Sequence, residues 1–259
     1  MKIWALNVLL ACSILVGGCA TGPNSHDPLE PMNRKIYQFN ETVDQIVIRP
    51  VGKAYTSFVP SLVRTGVRNV FTNLGVINTT FNDLLQLKIR NVPVGIARFT
   101  SNLILGVGGM FDVASEIGIP YYKEDFGQTL GHWGLESGPY LVLPLLGPST
   151  IRDGAAKPFD FYLDPVSHIG DDSTKWNFTG LRIIDTRSKY LGSEDMLSKS
   201  ALDQYSFIRD TWLQRREYQI SDGAPKRTES SKYRPKSFRE LELELENNYL
   251  FFLPVGGIK

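Results

Sequence analysis

Few residues in this chain are suited to covalent or metal chemistry. Its 259 residues include two cysteines, Cys12 and Cys19, and three histidines, His26, His132 and His168. A catalytic zinc needs three protein ligands, and no His-Glu-x-x-His segment gathers them. A hydrolase nucleophile elbow needs Gly-x-Ser-x-Gly, which the chain lacks. Gly106-x-Gly108 misses the third glycine of a dinucleotide-binding turn. Asp125-Phe126-Gly127 spells the metal-holding triplet of kinases, but no catalytic loop or glycine loop accompanies it. His132 beside Trp133 is of the type that serves as a general base, and an ordinary structural histidine fits there as well. No spacing marks a carboxylate pair for glycoside cleavage. The pattern points away from an enzyme, and no cofactor or metal is expected.

Cys19 has chemistry of another kind. Lys2 precedes an apolar run from Ile3 to Val16, interrupted by Asn7 and Ser13. This is the layout of a signal peptide, shorter than the roughly 20 apolar residues of a membrane-spanning helix. It ends in Leu15-Val16-Gly17-Gly18-Cys19, which resembles the bacterial lipobox. In that class residues 1–18 are removed, Cys19 takes a diacylglycerol thioether, and the new amine is acylated. Three acyl chains, at ~0.8 kcal/mol per buried CH₂, exceed what stable anchoring needs. Ala20 stands where inner-membrane lipoproteins carry Asp, which favours the outer membrane. Cys12 leaves with the signal, so the mature chain has no second thiol for a disulfide. Lys+Arg number 28 and Asp+Glu 27, a balance that argues against nucleic-acid binding.

The rest of the chain reads as mainly α. Residues 19–26 form a tether. Asp27-Pro28-Leu29-Glu30 predicts a capped helix start, and Met32, Ile36, Phe39, Val43 and Ile46 form one apolar face. Arg49-Pro50 is expected to end that helix. A second helix from Pro60-Ser61 carries Val63, Val67, Val70, Leu74, Ile77, Phe81 and Leu84 at helical period. Its other face holds Asn73, Asn78, Thr79 and Asn82 with no charge between Asn69 and Asn82. That face is either buried with satisfied hydrogen bonds or the wall of a polar cavity. Pro93 opens a third helix, which ends in Gly106-x-Gly108-Gly109. Those glycines either terminate the helix or allow close packing. From Ser137 to Ile151 there is again no charge, and Pro139, Pro144 and Pro148 exclude a helix. Two short apolar arms around a turn are expected, which either expose Tyr140, Leu141, Leu143, Leu145 and Leu146 as a membrane or partner contact or fold over the core. Thr150-x-x-Asp153 restarts a helix. Two more helices follow, around Thr174–Tyr190 and Leu202–Gly223. Residues 224–259 form a charged tail, expected to be partly disordered.

Several blocks resemble the MlaA (VacJ) family of outer-membrane lipoproteins. They are Asp27 to Arg34 with Phe39-Asn40, Arg49-Pro50-Val51, Arg98-Phe99, and Asn102 through Gly106 to Ala114. Phe126 to Gly131, Gly138-Pro-Tyr140, Arg152-Asp153, Lys175-Trp176 and Tyr205 to Gly223 complete the set. The resemblance covers about residues 27–223. It implies a ring-like bundle of amphipathic helices with a central channel, associated with a trimeric porin. Phospholipids misplaced in the outer leaflet would enter the channel and pass to the periplasmic carrier MlaC. Asn73, Asn78, Thr79, Asn82 and Lys175 are then candidates for contact with lipid. The family's flexible hairpin would run from about Phe126 to Arg152, hinged at Gly131, Gly134 and Gly138. Glu136-Ser137 stands where the family's loop carries more glycine, which would stiffen the hinge. A structural lipoprotein scaffold without a lumen is the alternative.

Overall fold

The computed structural model describes residues 27–191 and 203–223. The signal segment, the tether with Cys19, and the tail lie outside these residues. The architecture is mainly α with one small antiparallel hairpin. In chain order the elements are α1 (Glu30–Val43), a π-helical turn (Asp44–Ile48), α2 (Arg49–Phe58), α3 (Ser61–Leu85), α4 (Asn91–Ile104), α5 (Val113–Glu116) and α6 (Phe126–His132). Then come β1 (Tyr140–Leu143), β2 (Gly147–Thr150), α7 (Ile151–Leu163), a 3₁₀ turn (Pro165–His168), α8 (Asp172–Ser188) and α9 (Gln204–Ile220). Two compact units are distinguished, Met1–Asp210 and Thr211–Lys259. The second holds the end of α9, closed by a bond from Gly223 N–H to Tyr218 O. Among the described residues, no helix is long and apolar enough to cross a membrane.

Two expected helix boundaries are corrected. Asp27 does not cap α1, whose N-cap is Leu29. Its carboxylate is instead drawn into a buried cluster. It accepts from Asn33 Nδ2 at 2.8 Å, from the Tyr205 hydroxyl, and from Arg209 at 3.4 Å. Arg49-Pro50 does not end the helical path either. Pro50 sits in the first turn of α2, where a missing N–H costs little. The π turn before it widens the helix, and Arg49 stays helical.

The helices are inverted relative to a water-soluble protein. On α1 the buried residue is Asn33, while Met32, Phe39 and the following Ile46 face outward. On α3 the buried side is Gly66, Asn73, Val76, Thr79, Asn82 and Asp83. Val63, Ile77, Phe81 and Leu84, on the apolar face, are exposed. Phe58 is 86% and Leu62 84% exposed at the α2–α3 corner. Fully buried polar side chains outnumber buried apolar ones among the described residues. Their hydrogen bonds make this interior tolerable, since unpaired buried polar groups are costly. The outer faces hold large apolar area that water does not favour.

α4 ends in a glycine turn. Gly109 N–H bonds Asn102 O at 2.8 Å, and Val107, Gly108 and Gly109 all have positive φ. Arg98 organises this corner from α4. It is buried, with Nη2 at 2.7 Å from both oxygens of Asp112 and Nη1 at 2.7 Å from Ile119 O. Asn102 gives Nδ2 to Asp112 at 3.0 Å and accepts from Ala114 N–H at 2.8 Å. Leu105, Val107 and Phe111 project outward around the turn.

α1 holds the hairpin through side-chain amides. Asn33 Nδ2 donates to Tyr140 O at 3.0 Å, and Val142 N–H donates to Asn33 Oδ1 at 2.9 Å. Asn40 repeats the pattern, donating to Leu143 O at 3.0 Å and accepting from Leu145 N–H at 2.7 Å. Asn40→Ala is expected to cost about 1 kcal/mol and to speed amide hydrogen exchange at Leu145 at least several-fold. Unchanged exchange at Leu145 would show that the hairpin tip does not depend on this amide.

Candidate functional site

A cleft of about 370 Å³ lies within the first unit, lined from α3, the segment before α6, α7 and α8. That volume is near the lower end of ligand sites, roughly 300–1,000 Å³. Apolar wall comes from Phe71, Leu74 and Phe161, and charge from several other elements. Arg68 Nε lies 3.3 Å from Asp185 Oδ2. Arg182 grips both carboxylate oxygens of Asp164, with Nη2 to Oδ1 at 3.0 Å, and its guanidinium lies 5.0 Å from the centre of the Phe71 ring. These charges largely neutralise one another.

Glu124 and Asp160 anchor the mouth of α6. Glu124 is buried; its Oε1 accepts from Lys88 at 2.9 Å, and its Oε2 from Gln86 at 2.9 Å and Gln128 at 2.8 Å. Burial pushes its carboxyl above the ordinary value, against the pull of these donors. Asp160 Oδ1 accepts from Asn78 Nδ2 at 3.1 Å and from Phe126 N–H at 2.9 Å, and burial raises its carboxyl too.

The uncharged face of α3 divides between cleft and interior. Asn78 lines the cleft. Asn82 is fully buried; its Nδ2 reaches Asn78 Oδ1 at 2.8 Å and its Oδ1 accepts from Thr129 at 2.7 Å. Thr79 is buried and accepts from Glu124 N–H at 3.4 Å. Asn73 is buried and packs against Gly109. Lys175 does not line the cleft. It lies on the first turn of α8, with Nζ 3.2 Å from Asp172.

The expected loop becomes a β-hairpin, with Tyr140 opposite Thr150 and Leu143 opposite Gly147. Both strands are edges, which is where Pro148 is tolerated. Alternation turns Tyr140 and Val142 inward, at 1% and 2% exposure. Tyr140 is therefore no surface contact, and its ring meets Tyr205 edge-on at 6.3 Å. Leu141 and Leu143 are half-buried. Leu145 and Leu146 form the exposed tip, and Leu145 holds a left-handed φ of 62°. Gly131 lies inside α6. Gly134, at φ 92°, closes α6, with Gly134 N–H bonded to Gly131 O and Leu135 N–H to Leu130 O, both at 3.0 Å. Gly138, at φ 66°, leads into β1.

Sequence reasoning missed Arg68, Lys123, Asp160 and Arg182, which come together in the cleft. No local period links such distant positions.

Apolar faces turned outward, a hydrogen-bonded polar interior and a mixed-character cleft define a helical protein built to meet lipid. The chain belongs to the MlaA lipoprotein family, whose model matches residues 25–219. A relative from Escherichia coli strain K12, named intermembrane phospholipid transport system lipoprotein MlaA, is 34% identical, covering 89% of this chain and 94% of its own length. The protein of that name from Haemophilus influenzae is 29% identical, covering 86% and 93%. An uncharacterised protein of Rickettsia bellii is 33% identical over 79% of this chain and 80% of its own. A solved structure from work on the structural basis for maintenance of bacterial outer membrane lipid asymmetry is also similar. It has a TM-score of 0.64 and 32% identity, and covers 75% of this chain and 98% of the solved one.

Proposed function

We propose that this protein is an outer-membrane lipoprotein that removes misplaced phospholipids from the outer leaflet. They pass by an amphipathic route, of which the cleft is one stretch, toward a periplasmic carrier of the MlaC kind, beside a trimeric porin. Acylated Cys19 holds the body on the periplasmic side. No covalent step is involved. The observation that carries this reading is the inversion of α1 and α3. A protein lodged at a lipid surface gains from outward apolar faces, while a headgroup needs polar surface inside. The names of the relatives agree with that physics. A scaffold without a lumen would not need the cleft.

The test is deletion of the gene and return of the wild-type chain. Loss should raise outer-leaflet phospholipid and sensitivity to detergent, and return should reverse both. A deletion strain with normal surface phospholipid would sink the reading. Labelling with radioactive palmitate should mark the wild-type protein and leave Cys19→Ala unmarked.

A further inference from the structure

The charges lining the cleft are mostly matched. Arg68 faces Asp185, Arg182 faces Asp164, and Glu124 is held by Lys88. Two are left over. Among the described residues, Lys123 makes no ion pair or hydrogen bond through its ammonium group and is exposed at the cleft. Asp160 makes no ion pair among these residues either, and both of its hydrogen bonds use Oδ1. Its Oδ2 is left without a donor. Lys157, one turn back on α7, acts on it only through space.

One unmatched cation and one unmatched carboxylate line the same small cleft and form a complementary pair. A phosphate answers Lys123, and an ammonium answers Asp160. We propose that the cleft selects a zwitterionic phosphate–ammonium headgroup, with Asp160 as the specificity-determining residue and Lys123 as the phosphate contact. This rests on the phospholipid-transport reading and adds headgroup choice to it. A phosphatidylethanolamine headgroup carries both charges, with three N–H donors on its ammonium. A phosphatidylglycerol headgroup carries the phosphate alone, so Asp160 Oδ2 would remain unanswered and repel it. The cleft's modest volume suits a headgroup better than a whole lipid.

The test uses the full-length protein purified in detergent. It is incubated with mixed micelles holding equal phosphatidylethanolamine and phosphatidylglycerol of the same acyl chains, then repurified, and the retained lipid is quantified by mass spectrometry. Wild type should retain phosphatidylethanolamine in about fivefold excess, as a partly exposed ion pair allows. Asp160→Asn, which keeps an Oδ1 acceptor for Asn78 and Phe126, should bring the ratio close to one. Lys123→Gln should lower both lipids without changing the ratio. Glycerophosphoethanolamine carries the same zwitterion in soluble form. If it displaces the lipid in wild type but not in Asp160→Asn, the assignment holds and extends to soluble phosphodiesters. If it displaces nothing while the fivefold preference stands, the assignment holds for the membrane lipid. Equal retention of both lipids by wild type overturns the proposal and leaves the transport reading intact, as does a preference that survives Asp160→Asn. No retained phospholipid at all overturns both.

Discussion

Replacing Arg98 by alanine is expected to cost the fold about 3–5 kcal/mol, because it leaves a part-buried carboxylate without its partner. Arg98 ties three places together. It grips both oxygens of Asp112, binds Ile119 O, and reaches Ser115 Oγ at 2.9 Å. Removing it frees the chain on both sides of the glycine turn. For a chain of this size the loss corresponds to about 6–20 °C in Tm, measurable by thermal melting of the detergent-solubilised protein. Arg98→Lys keeps the charge and loses the planar fork, so it should fall between the two. A Tm within about 2 °C of wild type for Arg98→Ala would refute this role. Acid supplies a second check. Burial works against the charged form of Asp112, yet bonds from Ser115 and Asn102 and the charge of Arg98 hold its pKa below the ordinary 3.8. The stability from this group is therefore complete above the ordinary value. It is lost as pH falls through the lower, folded one. The gap between wild type and Arg98→Ala should narrow below pH 3.8.

Gly106→Ala is the second large effect. A Cβ at Gly106 would lie 2.2 Å from Phe111 O and 2.4 Å from Asn102 O. Both are backbone atoms, so no side chain can swing aside and the turn itself must move. A cost of about 3 kcal/mol or more is expected, with sharply less protein accumulating in membranes. Gly108→Ala is the control two residues on. Gly108 has φ 70° and nothing within 4 Å of an added Cβ. Its substitution meets only the left-handed penalty, about 1–2 kcal/mol. The order of the two variants in Tm decides the matter: Gly108→Ala falling lower would refute the packing argument.

The helices were legible in the chain because their signals are local. Thr150 caps α7 by accepting from Asp153 N–H at 3.2 Å, as the four-residue box predicts. Pro60 precedes α3, and Pro93 sits in the first turn of α4. The apolar periodicity of α1 and α3 marked a face correctly but could not say which way it points. Period alone reports segregation, and the direction depends on whether water or lipid lies outside. Asp27 shows the same limit. Its spacing to Glu30 matches a cap, while its carboxylate goes to Tyr205 and Arg209, 178 and 182 residues away. The cleft was legible only at Asn78. Lys123 and Asp160 carry no motif, and it is the packing of α6 on α7, with Phe126 N–H bonded to Asp160, that brings both to one cleft.

The two asparagines of α1 make that helix a gauge for the hairpin. From Asn33 to Asn40 is seven helical residues, an advance of about 10.5 Å. Their partners, Tyr140 and Val142 for the first and Leu143 and Leu145 for the second, step three residues along the hairpin. Three residues of strand advance about 10 Å. The two lattices, helical and extended, come into phase at these two points. One residue gained or lost between Asn33 and Asn40 would turn the second amide by about 100° and shift it by about 1.5 Å, so it would miss its pair of backbone groups. The number of residues between the two marks is therefore as constrained as the asparagines themselves.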